Sequence, residues 1–200
     1  MPTYYVDPAA TGLNDGSSWE NAWTSINSAL ALSAVAAGDT VYCRGSQTLS
    51  SVPTNQNDGS LSDGFIKFIG CNASGVNDGT YFVLNANSAV ANAWNNNAKS
   101  YIWLENLELK NATSHGWTRG ANSYWGKCVF VNVYSHDNGA SGFECYYSQG
   151  PDAPVVWFRC KANNNGKSGF YDNYSGLFVW YGCEAIGNSS SGIKCRGNTS

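Results

Sequence analysis

The stretch VVWFRCKANNNGKSGF, residues 155–170, decides the fold, because the chain carries the same pattern again as FVWYGCEAIGNSSSGI at 178–193. An earlier copy, CVFVNVYSHDNGASGF, occupies residues 128–143. Each copy is too short to bury its own apolar side chains, and it can bury them only by stacking on a neighbouring copy. The repetition therefore predicts a solenoid of short β-strands.

Four asparagines mark the repeat at separations of 27, 27 and 23 residues: Asn111, Asn138, Asn165 and Asn188. Strand side chains alternate between faces, so the positions nine, seven and five residues before each asparagine share one face. We predict that this face points inwards. The inward positions are Ile102, Leu104, Asn106, Val129, Val131, Val133, Val156, Phe158, Cys160, Val179, Tyr181 and Cys183.

The position eight residues before each asparagine is aromatic, and the same alternation places it on the outer face. This column consists of Trp103, Phe130, Trp157 and Trp180, with Arg159 among its polar neighbours. A row of exposed aromatic rings suits a protein–protein interface or the docking of sugar rings. Burial beneath a loop of the same chain is the third explanation.

The N-terminal segment differs from the repeats. Tyr4-Tyr5-Val6 reads as a short strand, and apolar residues at helical spacing from Trp23 to Ala34 predict a helix over about residues 18–36, with an N-cap at Ser17-Ser18. We assign residues 1–40 to a strand and capping helix, and residues 41–200 to continuous coils. Further strands are predicted at 40–44, 66–69, 81–84, 102–104, 129–133, 155–160 and 178–183.

Three N-terminal motifs carry a resemblance to a known family: YYVDP at 4–8, NDGSSWENAW at 14–23 and GDTVY at 38–42. They resemble the entry of the pectate-lyase-like right-handed parallel β-helix superfamily, in which a helix covers the open end of the solenoid. The resemblance implies an all-β, right-handed parallel β-helix with a short capping helix. Members of that superfamily include pectin-cleaving enzymes, other polysaccharide lyases and hydrolases, and bacteriophage tailspikes.

Composition narrows the classes of partner. The formal charge of -3 provides no basic face for nucleic acid, and no apolar run reaches the roughly 18 residues of a membrane span. The seven cysteines match no zinc spacing, so we predict no metal or cofactor and interpret the cysteines as reduced core thiols. Cys160 and Cys183 share an inward position on adjacent coils, which leaves a disulfide as the alternative.

The candidate catalytic residues are His136 with Asp137 beside it, and Glu184. Glycoside hydrolysis normally needs two carboxyl groups. In this register Glu184 stands next to Lys161, and the columns that contain Asp137 and Glu184 each hold a single acid. Turn polarity therefore remains the alternative explanation of these residues.

These observations favour a structural protein of a bacteriophage virion surface, such as a decoration protein, fibre or tailspike piece. Its expected partners are other virion proteins or copies of itself, in a homo-oligomer such as a trimer, with surface polysaccharide as a further ligand. The opening Met1-Pro2-Thr3, which has no signal peptide, fits synthesis in the host cytoplasm. The alternatives are a polysaccharide lyase or glycoside hydrolase of the same fold, and an extracellular adhesin or filament subunit.

Overall fold

The computed structural model describes residues 1–120, 127–145, 150–172 and 176–195, with the side chains of 150–153 and 176–177 left out. In this part of the chain the backbone forms a parallel β-solenoid, and the predicted all-β parallel β-helix is confirmed. The strands in chain order are β1 Thr3–Val6, β2 Thr40–Arg44, β3 Ser46–Thr48, β4 Ile66–Cys71, β5 Phe82–Asn85, β6 Asn92–Asn95, β7 Ile102–Glu105, β8 Leu107–Lys110, β9 His115–Thr118, β10 Cys128–Val131, β11 Tyr134–His136, β12 Phe143–Cys145, β13 Gly150–Phe158, β14 Lys161–Asn163, β15 Phe170–Asp172, β16 Gly176–Tyr181 and β17 Ile193–Cys195.

Three sheets run along the solenoid. The first has seven strands in the order β1-β2-β4-β7-β10-β13-β16. The second has the order β14-β11-β8-β5-β3, and the third has the order β17-β15-β12-β9-β6. From β4 onward the chain visits the three sheets in turn, and we call each such circuit a rung. Successive rungs pair in parallel, for example Cys128 with Val155 in the first sheet and Phe143 with Phe170 in the third.

The predicted capping helix is much shorter than expected. The helix, α1, spans Ile26–Leu30, and its N-cap is Ser25 rather than Ser17-Ser18. The residues before it are drawn into pairing with β1 instead, since the Trp23 N–H donates to the Tyr5 carbonyl and Trp23 forms a parallel bridge with Val6. Ile26, Ala29 and Leu30 are buried against the core, so the helix still covers apolar side chains of the first rungs.

The core is a set of inward columns that run from rung to rung. In the third sheet the column comprises Trp94, Trp117, Phe143 and Phe170, all buried. In the first sheet Leu104, Phe130 and Trp157 lie in register, and the Phe130 and Trp157 rings are stacked at 5.7 Å. Full burial of one large apolar side chain is worth roughly 1.5–3 kcal/mol, so the stacked rungs stabilise one another.

The predicted facing is correct throughout the first repeat, but in the other three it holds only for the position five residues before the asparagine, where Val133 and Cys160 are buried. Ile102 and Leu104 point inwards as expected. In the three later repeats, however, the positions nine and seven before the asparagine point outwards. These outward residues are half-buried or exposed: Val129, Val131, Val156, Phe158, Val179 and Tyr181.

The prediction that the aromatic column points outwards is therefore wrong for the later repeats. Phe130 and Trp157 are only 1% and 2% exposed, and Trp180 is half-buried, with its ring stacked on Trp157 at 5.5 Å. Trp103 does point outwards, but Phe65 packs against its ring edge-on at 6.1 Å. The prediction that these four rings line one outer face thus fails, because three of them belong to the core.

A left-handed residue at the corner between the first two sheets explains the error. Asn106, Asn132 and Arg159 have φ angles of 53°, 50° and 53°, and Gly182 has a φ of 62°. A residue in this conformation interrupts the strict alternation of side chains. It stands five residues before Asn111, but six residues before each of the later three asparagines, so the four repeats cannot be aligned on these asparagines.

Two asparagine ladders hold the corners. Asn138, Asn165 and Asn188 form the predicted ladder, in which each Nδ2 donates to the next Oδ1 at 2.9 Å. Asn111 does not belong to it, because its N–H donates to the His136 carbonyl and it therefore aligns with Asp137. A second ladder, which the sequence pattern had not indicated, joins Asn77, Asn106 and Asn132 at 2.6 and 2.7 Å.

Candidate functional site

A cleft of about 330 Å³ lies on the outer face of the third sheet. Polar and charged side chains make up most of its lining. Its lining contains a carboxylate, an imidazole, two ammonium groups and several hydroxyls, contributed by His115, Ser141, Glu144, Lys167, Ser168, Tyr171, Ser190 and Lys194.

The parallel register of the third sheet builds the floor of this cleft. Glu144 pairs with Thr118 on the rung before it and with Tyr171 on the rung after it, and Tyr171 in turn pairs with Lys194. Because neighbouring parallel strands lie about 4.8 Å apart, this outward column extends about 14 Å along the solenoid. The flanking residues alternate inwards into the core, so the floor rests on packed strands.

Glu144 and His115 form the central contact. The Nε2 atom of His115 lies 3.1 Å from Oε2 of Glu144, and the Thr118 hydroxyl donates to the same oxygen at 3.2 Å. The Ser141 N–H donates to Nδ1 of His115 at 3.3 Å. An Nδ1 that accepts a hydrogen bond leaves the proton of the neutral ring on Nε2, from where it can be donated to Glu144.

Burial dominates the ionisation of this pair. Together with the smaller effect of the positive charge of Lys167, it lowers the pKa of His115 from 6.5 to about 4, although the hydrogen bond from the Ser141 N–H opposes the change. Burial raises the pKa of Glu144, while the hydrogen bond from Thr118 and the charge of Lys167 oppose that rise. His115 is therefore neutral at pH 7, and it orients Glu144 without adding charge to the cleft.

Lys167 and Lys194 supply the positive charge. The ion pairs among the described residues include neither lysine. The ammonium group of Lys194 lies 5.8 Å from the centre of the Tyr171 ring, and Lys167 is exposed on the turn that precedes β15. Two ammonium groups beside a single buried carboxylate favour an anionic ligand.

The predicted catalytic pair lies on another face, the outer face of the second sheet. Nδ1 of His136 is 2.6 Å from Oδ2 of Asp137, and Nε2 is 3.1 Å from Oε1 of Glu108. Lys110 donates to that same Glu108 oxygen at 2.6 Å, and the Tyr134 ring is stacked on the imidazole at 4.1 Å. The charged groups of this network already satisfy one another, which argues for a structural role on the surface of the sheet.

Sequence reasoning missed Glu108 as a neighbour of His136. When positions are counted back from the anchoring asparagines, Leu107 rather than Glu108 falls in the column of Tyr134. The structure instead pairs Tyr134 with Glu108. Glu184, the third catalytic candidate, lies next to Lys161 as expected, and the backbones of the two residues form a parallel β-bridge. Its side chain accepts a hydrogen bond from Nδ2 of Asn163 at 2.7 Å. Neither Glu108 nor Glu184 faces the cleft on the third sheet.

The interface candidates lie on the first sheet and at its corner. Arg159 is exposed there, and its guanidinium lies 5.0 Å from the centre of the Phe158 ring. The Phe158 and Tyr181 rings are stacked at 5.1 Å with 4° between their planes. The true outer column of this sheet is Glu105, Val131, Phe158 and Tyr181.

Sequence reasoning did not find the cleft. The sequence pattern gives Glu144 no partner, because His115 precedes it by 29 positions and lies in a different repeat. A weak signal was present: each of these residues lies close to the Gly-plus-aromatic pair of its own repeat, Gly116-Trp117 or Gly142-Phe143.

The described residues contain neither a cluster of metal ligands nor a helix that could span a membrane. No group of three or more His, Cys, Asp or Glu side chains there is arranged to hold a metal ion. None of the helices described is both long and apolar enough to cross a bilayer.

No protein-family model matches the chain, and comparisons with curated proteins and with solved structures found no significant match. The assignment to the parallel β-solenoids therefore rests on the strand pairing alone. A solenoid can serve many chemistries, so the functional argument has to start from the cleft.

Proposed function

We propose that the cleft on the third sheet binds an acidic polysaccharide, with a uronic acid residue seated between Lys167 and Lys194. The observation that carries this proposal is the pair of lysines beside hydroxyl groups, neither of which forms an ion pair with a carboxylate of the described residues. The ammonium groups would bind the uronate carboxylate, and the exposed Ser190 offers hydrogen bonds to sugar hydroxyls.

The shape of the site supports a linear polymer rather than a compact metabolite. The residues that line the cleft come from four successive rungs, from His115 to Lys194. A rigid sheet also holds these side chains in place before a ligand arrives, which limits the entropy lost on binding.

Binding is a better supported function than hydrolysis. Glu144 is the only carboxylate among the residues that line the cleft, whereas both retaining and inverting glycosidases use two.

Isothermal titration with oligogalacturonides tests the proposal, with neutral dextran fragments as the comparison. We expect the wild-type chain to bind the uronate oligomer with an affinity that falls as salt rises, and the variant Lys167→Gln/Lys194→Gln to bind at least about tenfold more weakly. Lys161→Gln is the matched control, since Lys161 is an exposed lysine on the second sheet. Equal binding by the double variant, or equal affinity for dextran, would refute the proposal.

A second candidate function is the structural one, an oligomeric scaffold such as a virion-surface protein. The observation in its favour is the apolar outer face of the first sheet, where Val179 is 42% and Tyr181 63% exposed beside Phe158. We propose a second copy of this chain as the partner, because rows of exposed apolar side chains are typical of protein interfaces.

Light scattering at a series of concentrations tests the scaffold. The wild-type chain should have an oligomeric mass, and Tyr181→Lys should shift it towards the monomer. Ile186→Lys is the control, because Ile186 is 60% exposed but lies outside the first sheet. A wild-type chain that stays monomeric at high concentration would exclude the scaffold and leave the cleft proposal untouched.

A further inference from the structure

Cys160 and Cys183 occupy the same inward position on two adjacent rungs. Lys161 and Glu184, which follow them, form a parallel bridge, and the Glu184 N–H donates to the Cys160 carbonyl at 2.9 Å. Neighbouring parallel strands lie about 4.8 Å apart, which falls within the Cα separation that a disulfide spans. The backbone therefore need not move for the two sulfurs to be joined.

The surroundings of the two thiols differ. Cys160 is fully buried, and its Sγ donates to the Phe158 carbonyl at 3.6 Å. Cys183 is only half-buried, and its Sγ donates to the Trp157 carbonyl at 3.4 Å. A reagent in solution can thus reach Cys183 first, with Cys160 waiting behind it.

The thiols also differ in acidity. The hydrogen bond with Cys160 lowers the pKa of Cys183 to about 7, although its partial burial opposes the change, whereas burial raises the pKa of Cys160. All seven cysteines lie in the described part of the chain, and burial raises the pKa of each of the other five. A thiol with a pKa near ambient pH is the most effective nucleophile in exchange reactions.

We propose that Cys183 and Cys160 form a redox-active dithiol, which exchanges with low-molecular-weight disulfides and cross-links the two rungs. The Cys183 thiolate attacks a disulfide R–S–S–R, forms the mixed disulfide Cys183–S–S–R and releases RS⁻. The Cys160 thiol then attacks the Cys183 sulfur, a second R–S⁻ leaves, and the proton of Cys160 passes to it. The two cysteines are oxidised to one disulfide while R–S–S–R is reduced to two thiols.

The cross-link would stabilise the rungs that carry it. It closes the loop between two cysteines that lie 23 positions apart, which restricts the unfolded chain. We expect the melting temperature of the oxidised protein to rise by roughly 5–10 °C.

Incubation of the whole chain with glutathione disulfide, followed by acid quenching, alkylation and peptide mass mapping, tests the proposal. We expect a Cys160–Cys183 cross-linked peptide that is ~2 Da lighter than its two thiol forms, and a formation rate that rises with pH around 7. The variant Cys160→Ser should accumulate glutathione on Cys183, because the resolving thiol is then missing. Cys195→Ser is the control and should form the cross-link normally, since Cys195 is exposed but has a raised pKa.

Two results would overturn the proposal. The first is glutathione on Cys195 with neither cross-link nor mixed disulfide at Cys183 in the folded protein. The second is a mixed disulfide that persists at Cys183 in the wild-type chain, since Cys160 would then be unable to reach it. Far-UV circular dichroism of each variant shows that the solenoid has folded before the exchange is measured.

Discussion

Two adjacent aromatic residues of β13 provide the sharpest test of the solenoid register. Trp157 is 2% exposed and packs between Phe130 and Trp180, with ring centroids at 5.7 and 5.5 Å. Phe158 points to the other face, where it is half-buried beside Tyr181 and Arg159. Counting the side-chain alternation back from the anchoring asparagines predicts the opposite, with Phe158 in the core and Trp157 on the surface.

The structure predicts very different costs for the two truncations. Trp157→Ala removes a buried indole and leaves a cavity, which costs about 3–5 kcal/mol of unfolding free energy. Phe158→Ala loses one stacked pair and an exposed cation–π contact, together about 1 kcal/mol. For a chain of this length the difference corresponds to roughly 4–16 °C in the melting temperature.

Thermal and urea unfolding followed by far-UV circular dichroism measures both costs on the same signal. Trp157→Phe provides a milder change if the alanine variant does not fold, and it should still cost more than Phe158→Ala because it too leaves unfilled space in the core. Equal costs at the two positions, or a larger cost for Phe158→Ala, would show that the register described here is wrong.

The remaining predictions concern the corner ladder and the cleft. Asn165→Ala should lower the free energy of unfolding in urea by about 2–3 kcal/mol, because it leaves buried partners of the ladder unsatisfied. The control Asn163→Ala removes a half-buried side chain and should cost less than about 1 kcal/mol. Similar costs for the two variants would argue against the ladder. The pKa of His115 falls from 6.5 to about 4 on folding, so its contribution to stability is present above pH 6.5 and is lost as the pH falls towards 4. His115→Gln should therefore lose less unfolding free energy between pH 7 and 4.5 than the wild type, by on the order of 2 kcal/mol, and an identical pH dependence would contradict the buried, neutral imidazole.

Strand positions were accessible from the sequence because they depend on local information. The predicted strand at 40–44 is β2, and the predictions around residues 66, 81 and 102 coincide with β4, β5 and β7 to within two residues. Short apolar runs between Asn- and Gly-rich turns indicate such strands directly. The repetition of these runs implied parallel stacking, since no single copy could bury its own side chains.

The facing of the side chains was decided by tertiary structure. One left-handed residue at each corner, such as Asn132 or Arg159, interrupts the alternation, so the side chains that precede it face opposite to the count made from the asparagine that follows. Because the side-chain period of a strand is two residues, that single interruption moves Phe130 and Trp157 from the surface to the core. The sequence around an asparagine does not by itself show that its φ angle is positive in the folded chain.

The sequence by itself thus determined that this protein is a parallel β-solenoid, since its repeated apolar runs can be buried only by stacking. The tertiary structure alone decided which residues meet across the rungs. His115 and Glu144 lie 29 positions apart in different repeats, yet the third sheet brings them to 3.1 Å. Contacts of this kind depend on the number of residues in each turn between rungs, and a local pattern does not encode that number.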